Sequence, residues 1–372
     1  MKNTIQKLFD LGQSVWCDNL SRRMIDSGEL QRLIDLGIVG ITSNPTIFMK
    51  AITGGNDYDD RFLKLLDEDR SPLEIYEGLV IPDIVDAADF LRPVYDRTGG
   101  VDGYVSLEVN PKLAYKTEAT VAEARRLFKE VNRPNVFIKV PATNQGIPAI
   151  EVLIGEGINV NVTLIFSITM YRNVMGAYLN GLQRLRRRGG DLSKVASVAS
   201  FFVSRVDSLV DKRLEEKRAN GAKVDHLLGK AAVANAKLAY ARFLETFDPK
   251  GEFGELARAC ARVQRPLWAS TSTKNPKYPD TIYVDNLVGP NTVNTLPPAT
   301  IDAVLDHAKT AVTITNGLDA ARSVLGTIGN LDIHMNDVTE QLTTEGVNLF
   351  AQSFDELLAN LTEKEKQLRP VS

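Results

Sequence analysis

The sequence predicts one closed (β/α)8 barrel of the TIM type with additional helices, some of them C-terminal, in a single domain over residues 1–372. Three observations carry that expectation. Short β-rich runs alternate with stretches of helical period along most of the chain, the pattern of a parallel sheet built from βαβ units. Eight such units in 372 residues favour closure, although an open doubly wound sheet has the same alternation. Several strands also mix polar with apolar residues, whereas parallel strands buried on both faces read as continuous apolar runs.

Strands are expected near 14–19, 38–44, 103–110, 135–141, 158–166, 195–204, 266–272 and 281–288. The helix from Thr120 to Val131 opens on a Thr120/Glu123 capping box and gathers Val121, Ala124, Leu127, Phe128 and Val131 on one face. A second, from Ser167 to Arg188, has Tyr171, Val174, Met175, Tyr178, Leu182 and Leu185 on one face and stops at Gly189-Gly190. The cluster Arg184, Arg186, Arg187, Arg188 at its end reads as a solvated helix terminus, where cations oppose the dipole. An extra helical stretch, Pro72 to Leu91, precedes the third strand. Two more, Ile301–Ala308 and Thr344–Leu361, follow the eighth. The segment 309–340 is rich in Gly, Thr and Asn and is assigned no element.

Composition narrows the function classes. The net charge of −3 gives no clustered cationic surface for a nucleic-acid backbone. No stretch approaches the length of an apolar membrane span, and the first residues lack the apolar core of a secretory signal. Two cysteines, Cys17 and Cys260, are too few for a disulfide framework, so a reducing cytoplasm is expected. Three scattered histidines give no zinc-type spacing, and neither a P-loop nor a GxGxxG run occurs. No cofactor is expected.

The polar residues in the strands have a regular parity. Ser106, Glu108 and Asn110 alternate with Val105, Leu107 and Val109. Asn159, Asn161 and Thr163 alternate with Val160, Val162 and Leu164, and Thr42 and Asn44 with Val39 and Ile41. Alternate strand residues face opposite sides of a sheet. Helices cover a barrel's outside, so the apolar sets belong there and the polar sets point inward, toward the end where barrel active sites form. Lys139 is the lone cation of Val136-Phe-Ile-Lys-Val-Pro141. On an edge strand it would be an ordinary surface lysine, but a barrel has no edges, and a lumenal amine is a candidate nucleophile. Asp18 and Glu108 are either its ion-pair partners or the acid and base of imine chemistry. Ser200, Phe202 and Arg205 end the sixth strand, and Ser270, Ser272 and Lys274 the seventh, where late barrel loops commonly bind phosphate. Cys17 has the opposite parity to Asp18 and reads as a small buried hydrophobe.

These residues resemble a known family. Gly40-Ile-Thr-Ser-Asn-Pro-Thr-Ile-Phe48 resembles one transaldolase signature. Val136-Phe-Ile-Lys-Val-Pro-Ala-Thr143 with Gly157-Ile-Asn-Val-Asn-Val-Thr-Leu-Ile-Phe-Ser167 resembles another. The likeness covers nearly the whole chain, from Ser14 to Phe350, and is nearest to the longer transaldolases of actinobacteria and cyanobacteria. It implies a class I aldolase barrel with the Schiff base on Lys139. Asp18 is then the acid/base for carbon–carbon cleavage. Glu108 exchanges protons through a water held by Thr163. Asn44 and Asn161 hold the hydroxyls of a dihydroxyacetone unit, Ser200 and Phe202 line the site, and Arg205 and Ser270 bind phosphate. Many shorter transaldolases have Ser-Phe-Arg after the seventh strand. This chain has Ser270-Thr-Ser272-Thr-Lys274 instead, which makes Lys274 the candidate second cation.

The implied substrates are sugar phosphates, with neither nucleic acid nor membrane as partner; monomer and homodimer both stay open. Two rivals are weighed beside this reading. One is an aldolase that releases free dihydroxyacetone from fructose 6-phosphate. The other is a non-catalytic sugar-phosphate-binding barrel, which gives no reason for an inward lysine.

Overall fold

The computed structural model describes residues 2–68 and 70–368. Eight strands form one closed barrel in sequence order, each parallel to its neighbours. They are β1 (Gln13–Cys17), β2 (Gly40–Ile41), β3 (Tyr104–Glu108), β4 (Val136–Pro141), β5 (Val160–Ile165), β6 (Ser197–Phe202), β7 (Arg265–Ala269) and β8 (Thr292–Leu296). Closure runs through β1 and β8, which pair over five residues from Gln13↔Thr292 to Cys17↔Leu296. The doubly wound alternative is thereby excluded.

The eighth strand is not where the sequence pattern puts it. Within 281–288, residues Ile282–Asp285 form a single helical turn, and the strand follows at Thr292–Leu296. The β-branched and aromatic content of Thr281-Ile-Tyr-Val-Asp-Asn-Leu-Val288 serves burial instead: Tyr283, Val284, Leu287 and Val288 are all core residues. The true strand, Thr-Val-Asn-Thr-Leu, has only two apolar residues and gives a weak pattern.

The helix covering β3 and β4 starts earlier than its apparent cap. It spans Thr117–Val131, and its N-cap residue Lys116 makes no side-chain cap bond. Thr120 therefore lies inside the first turn, where its hydroxyl donates to the Leu113 carbonyl, and Glu123 pairs with Arg126. The next long helix, Ile168–Arg187, is capped by Ser167 as the pattern requires, and Gly190 N–H closes its end on the Leu185 carbonyl. The helix before β3 extends over Pro72–Arg97, with a true capping box between Ser71 and Glu74. The segment 309–340 contains the helix Leu318–Gly329 and the start of the helix Met335–Leu368.

Side chains fill the barrel in layers. Near the N-terminal end Arg265 and Asp102 form a buried ion pair at 3.1 Å, with Ser14 bonded to Asp102. Trp16, Phe137 and Tyr104 stack beside it, the latter two with ring centroids 4.2 Å apart. A Cβ on Gly40 would collide with the Trp16 indole, so this position needs glycine. Farther along, Ser200 donates to Asn161 at 2.7 Å and Asn161 donates to Ser106 at 3.0 Å.

The inward parity holds for β3 and β4 and for β5 up to Thr163. There the residues Glu108, Lys139 and Asn161 occupy one register row on three adjacent strands. The alternation breaks at Leu164, whose φ of 59° accompanies a register shift between Val162 and Ile165. Leu164 meets the C-terminal helix: a Cβ on Gly346 would stand 2.9 Å from its Cδ2.

Candidate active site

A cavity of about 200 Å³ opens at the C-terminal end of the strands. Asp18, Asn44, Lys139, Thr163, Ser200, Phe202, Arg205, Ser270, Ser272 and Lys274 line it, so ten of the residues singled out by sequence converge on one place. Glu108 and Asn161 do not form its wall. Asn161 is fully buried, its amide oxygen accepting from Ser200 and its amide nitrogen donating to Ser106. Glu108 sits behind the amine of Lys139.

Lys139 is 5% exposed. Its Nζ lies 3.5 Å from Glu108 Oε2, an ion pair without hydrogen-bond geometry, and donates to the Ser43 carbonyl at 3.2 Å. The ring of Phe350 stands 5.8 Å from the same nitrogen. Burial pushes the Glu108 carboxyl above its usual value; the nearby Lys139 charge opposes that and Asp18 adds to it. Enclosure likewise raises Asp18, against the pull of Lys139 and the Thr42 hydroxyl. Thr42 donates to Asp18 at 2.6 Å and is itself 2.6 Å from the Thr295 hydroxyl. One amine thus faces two carboxylates, whose protonation depends on it.

Two buried oxygens near the amine, Glu108 Oε2 and Thr163 Oγ1, have no hydrogen-bond partner in the protein. Buried polar atoms are rarely left so, and a water or a substrate atom is the usual partner. Asn44 is fixed by a structural duty: its Oδ1 caps the helix Pro45–Thr53 by accepting from Ile47 N–H at 3.0 Å. That bond sets how the amide meets the cavity wall.

The opposite wall is cationic. Arg205 follows β6 at the start of the helix Ser204–Ala219, with its guanidinium 5.7 Å from the Phe202 ring. Burial holds it below its ordinary value, with only Glu345 opposing. Lys274 is partly exposed and bonds Ser272 at 2.8 Å. Even so, partial burial first and Arg205 second hold its amine below the usual range. Among the described residues neither cation has a salt-bridge partner. Ser270 between them takes the left-handed conformation at φ 54°, uncommon outside glycine, and is secured by Ser204 N–H at 3.0 Å.

Five wall residues carried no assigned role in the sequence: Thr42, Ala269, Thr295, Pro297 and Phe350. Thr42 was legible as an inward polar residue. Thr295 and Pro297 were hidden by the misplaced eighth strand. Phe350 arrives on the helix Met335–Leu368, and its local pattern says only that it is buried. Cys17 is fully buried, its thiol pushed up to about 12 by burial and by Asp18, as suits a core residue. Among the described residues no three His, Cys, Asp or Glu side chains converge as a metal site.

The family model described as transaldolase/fructose-6-phosphate aldolase matches residues 15–361. The chain belongs to the transaldolase/fructose-6-phosphate aldolase family. The transaldolase of Thermobifida fusca is 50% identical over 366 residues, covering 98% of this chain and 99% of the relative. The transaldolase of Trichodesmium erythraeum is 46% identical over 378 residues, covering 99% of each. Transaldolase 2 of Streptomyces coelicolor is 48% identical over 372 residues, covering 100% and 99%. The likeness to actinobacterial and cyanobacterial members of this transaldolase family therefore extends over the whole barrel and the C-terminal helix.

Proposed function

We propose that this chain is a transaldolase that moves a dihydroxyacetone unit from sedoheptulose 7-phosphate to glyceraldehyde 3-phosphate, giving erythrose 4-phosphate and fructose 6-phosphate. The observation that carries the reading is the Lys139 amine in the barrel lumen, 3.5 Å from Glu108 and at the wall of a cavity shared with Asp18. Family membership supports it.

In this reading Lys139, as the free base, attacks the C2 carbonyl carbon of the ketose phosphate. The carbonyl oxygen leaves as water and a protonated imine remains. Glu108 moves the protons of that step, and the unpartnered Thr163 hydroxyl suits it to hold a shuttling water. Asp18 takes the proton of the C4 hydroxyl as the C3–C4 bond breaks. The bonding electrons pass to C3 and into the imine, and the aldehyde leaves. The incoming aldehyde accepts those electrons at its carbonyl carbon and regains a proton from Asp18. Hydrolysis of the imine frees the product and the amine. The imine is the electron sink, so the scheme uses no metal or organic cofactor.

Asn44 and Asn161 are assigned to the hydroxyls of the three-carbon unit, with Asn161 acting from beneath the cavity floor. Ser200 and Phe202 flank the substrate. Arg205, Ser270, Ser272 and Lys274 receive the phosphate, the Arg as a planar fork and the Lys as a point charge. We take residues 1–372 as one domain working in the cytoplasm. Among the described residues no helix is long and apolar enough to cross a membrane.

Borohydride reduction in the presence of fructose 6-phosphate, followed by peptide mapping, tests the assignment. One modified lysine, Lys139, is expected. Modification of another lysine with Lys139 untouched would falsify it. The family's description also includes fructose-6-phosphate aldolase. Steady release of free dihydroxyacetone without an acceptor aldehyde would favour that second activity.

A further inference from the structure

Between Ala269 and Ile282 the chain has no regular element, yet this stretch carries three residues of the cationic wall. A loop of that length, left to itself, samples many conformations. Its Lys274 also faces the repulsion of Arg205. Something must hold it.

The holding contacts come from the helix that carries Arg205. Ser204 N–H donates to the Ser270 carbonyl at 3.0 Å, and the two hydroxyls meet at 3.0 Å, so the loop's start is fixed. Farther along, two carboxylates of the same helix reach the loop's other end. Asp211 Oδ2 accepts from Tyr278 Oη at 2.6 Å, and Asp207 Oδ2 accepts from Tyr283 Oη at 2.8 Å. The remaining oxygens grip a third segment. Asp211 Oδ1 accepts from Gly229 N–H at 3.0 Å, and Asp207 Oδ1 accepts from Ala232 N–H at 2.7 Å, at the start of the helix Ala231–Thr246. Gly229 has φ 68°, and a Cβ there would stand 2.7 Å from Tyr278 Cζ, so the tyrosine ring lies directly over the glycine. Asp207 and Asp211 are both buried. Neither lines the substrate cavity. A second cavity is lined by residues of both the helix and the loop, Asp207, Asp211, Lys274 and Tyr278 among them.

We infer that Asp207 and Asp211 are positioning residues: through Tyr283 and Tyr278 they hold the loop after β7 so that Lys274 faces Arg205 and both cations grip one phosphate. This rests on the reading that Arg205 and Lys274 bind the substrate phosphate. One helix then sets the whole phosphate site, supplying one cation from its first turn and fixing the loop of the other at both ends.

The test is the double variant Tyr278→Phe/Tyr283→Phe, which keeps both rings and removes both hydroxyls. The KM for fructose 6-phosphate and the inhibition constant of inorganic phosphate should each rise roughly tenfold, as the loss of hydrogen bonds to charged groups allows. The kcat should stay within about twofold, and kinetics with unphosphorylated fructose should not change. In a Lys274→Ala background, Tyr278→Phe should add almost nothing, because the two changes act through one contact. A fall in thermal midpoint with unchanged phosphate dependence would make the tyrosines merely structural and overturn the inference. So would full additivity with Lys274→Ala. If the double variant does not fold, Tyr278→Phe alone carries the same readouts. If Arg205→Ala and Lys274→Ala themselves leave phosphate dependence intact, the phosphate-site reading fails and takes this inference with it.

Discussion

Glu108 and Lys139 are register partners on β3 and β4, and their charges meet at 3.5 Å with both side chains buried. The sheet itself fixes this pair, so neither side chain can leave the other without a rotamer change. Removing one partner of a buried ion pair strands the other charge, which typically costs about 3–5 kcal/mol. Variants at this pair must therefore be judged on stability as well as rate.

Lys139→Arg separates the two effects. The guanidinium keeps a positive charge beside Glu108 but stays protonated and cannot form an imine. Transaldolase activity should fall to background, while the thermal midpoint should move far less than in Lys139→Met. Residual turnover above the uncatalysed rate in Lys139→Arg would place the Schiff base elsewhere.

The two carboxylates should fail at different steps. Glu108 lies beside the amine, whereas Asp18 lies on the first strand's end, bonded to Thr42. Asp18→Asn should still form an imine that borohydride traps from donor sugar, and should not release aldehyde. Glu108→Gln should slow the formation of the imine itself. Positioned general acid–base groups contribute on the order of 10²–10⁴-fold, so each defect should be large. Rapid-quench trapping beside an erythrose 4-phosphate assay resolves them. Wild-type trapping rates in both variants, or no trapped imine in Asp18→Asn, would end this division of labour.

The cationic wall should discriminate by phosphate. Arg205→Ala should weaken phosphorylated substrates by about 1.5–3 kcal/mol, roughly 10- to 150-fold, with little change for unphosphorylated analogues. Lys274→Ala should do the same to a smaller degree, since this residue is partly exposed. Equal losses with both kinds of substrate would remove the residue concerned from the phosphate site.

Asp207 should make stability depend on pH. Burial, with Asp211 nearby, raises its carboxyl to about 7 despite bonds from Ala232 N–H and Tyr283. A carboxyl with a raised native pKa binds its proton more tightly folded than unfolded. Its contribution is complete below about pH 4 and is lost as pH climbs through about 7. The shift of about three pH units corresponds to about 4 kcal/mol at most. Asp207→Asn cannot ionise, so its stability relative to wild type should improve steadily from pH 5 to pH 8. Urea midpoints at both pH values give the comparison, and a constant gap would disconnect Asp207 from the titration.

Much of the barrel was legible because its interior is polar at one end. Inward Glu108, Asn161 and Thr163 interrupt strands that would otherwise read as uniform, and Lys139 follows the same parity. That physics fails where no alternation exists. The five residues of β8 are short and half polar, while the apolar run before them packs as a helical turn and sends Tyr283 toward Asp207. The Thr120/Glu123 pair matches a capping box in spacing alone; in the folded chain the Thr120 hydroxyl bonds the Leu113 carbonyl, outside the motif. Phe350 and the carboxylate–tyrosine pairs were unreadable for a deeper reason. They join segments whose proximity is set only by the folded barrel.

The helix Met335–Leu368 brings Phe350 over the Lys139 amine, and farther along Lys364 pairs with Asp59 at 2.6 Å and bonds the carbonyls of Ile52 and Gly55. All eight strands precede it in the chain. During synthesis the barrel has every strand it needs once Leu296 has left the ribosome, while the cover over its lysine is still being made. The order of the elements thus makes the cover over the reactive lysine later in synthesis than every strand of the barrel that holds it.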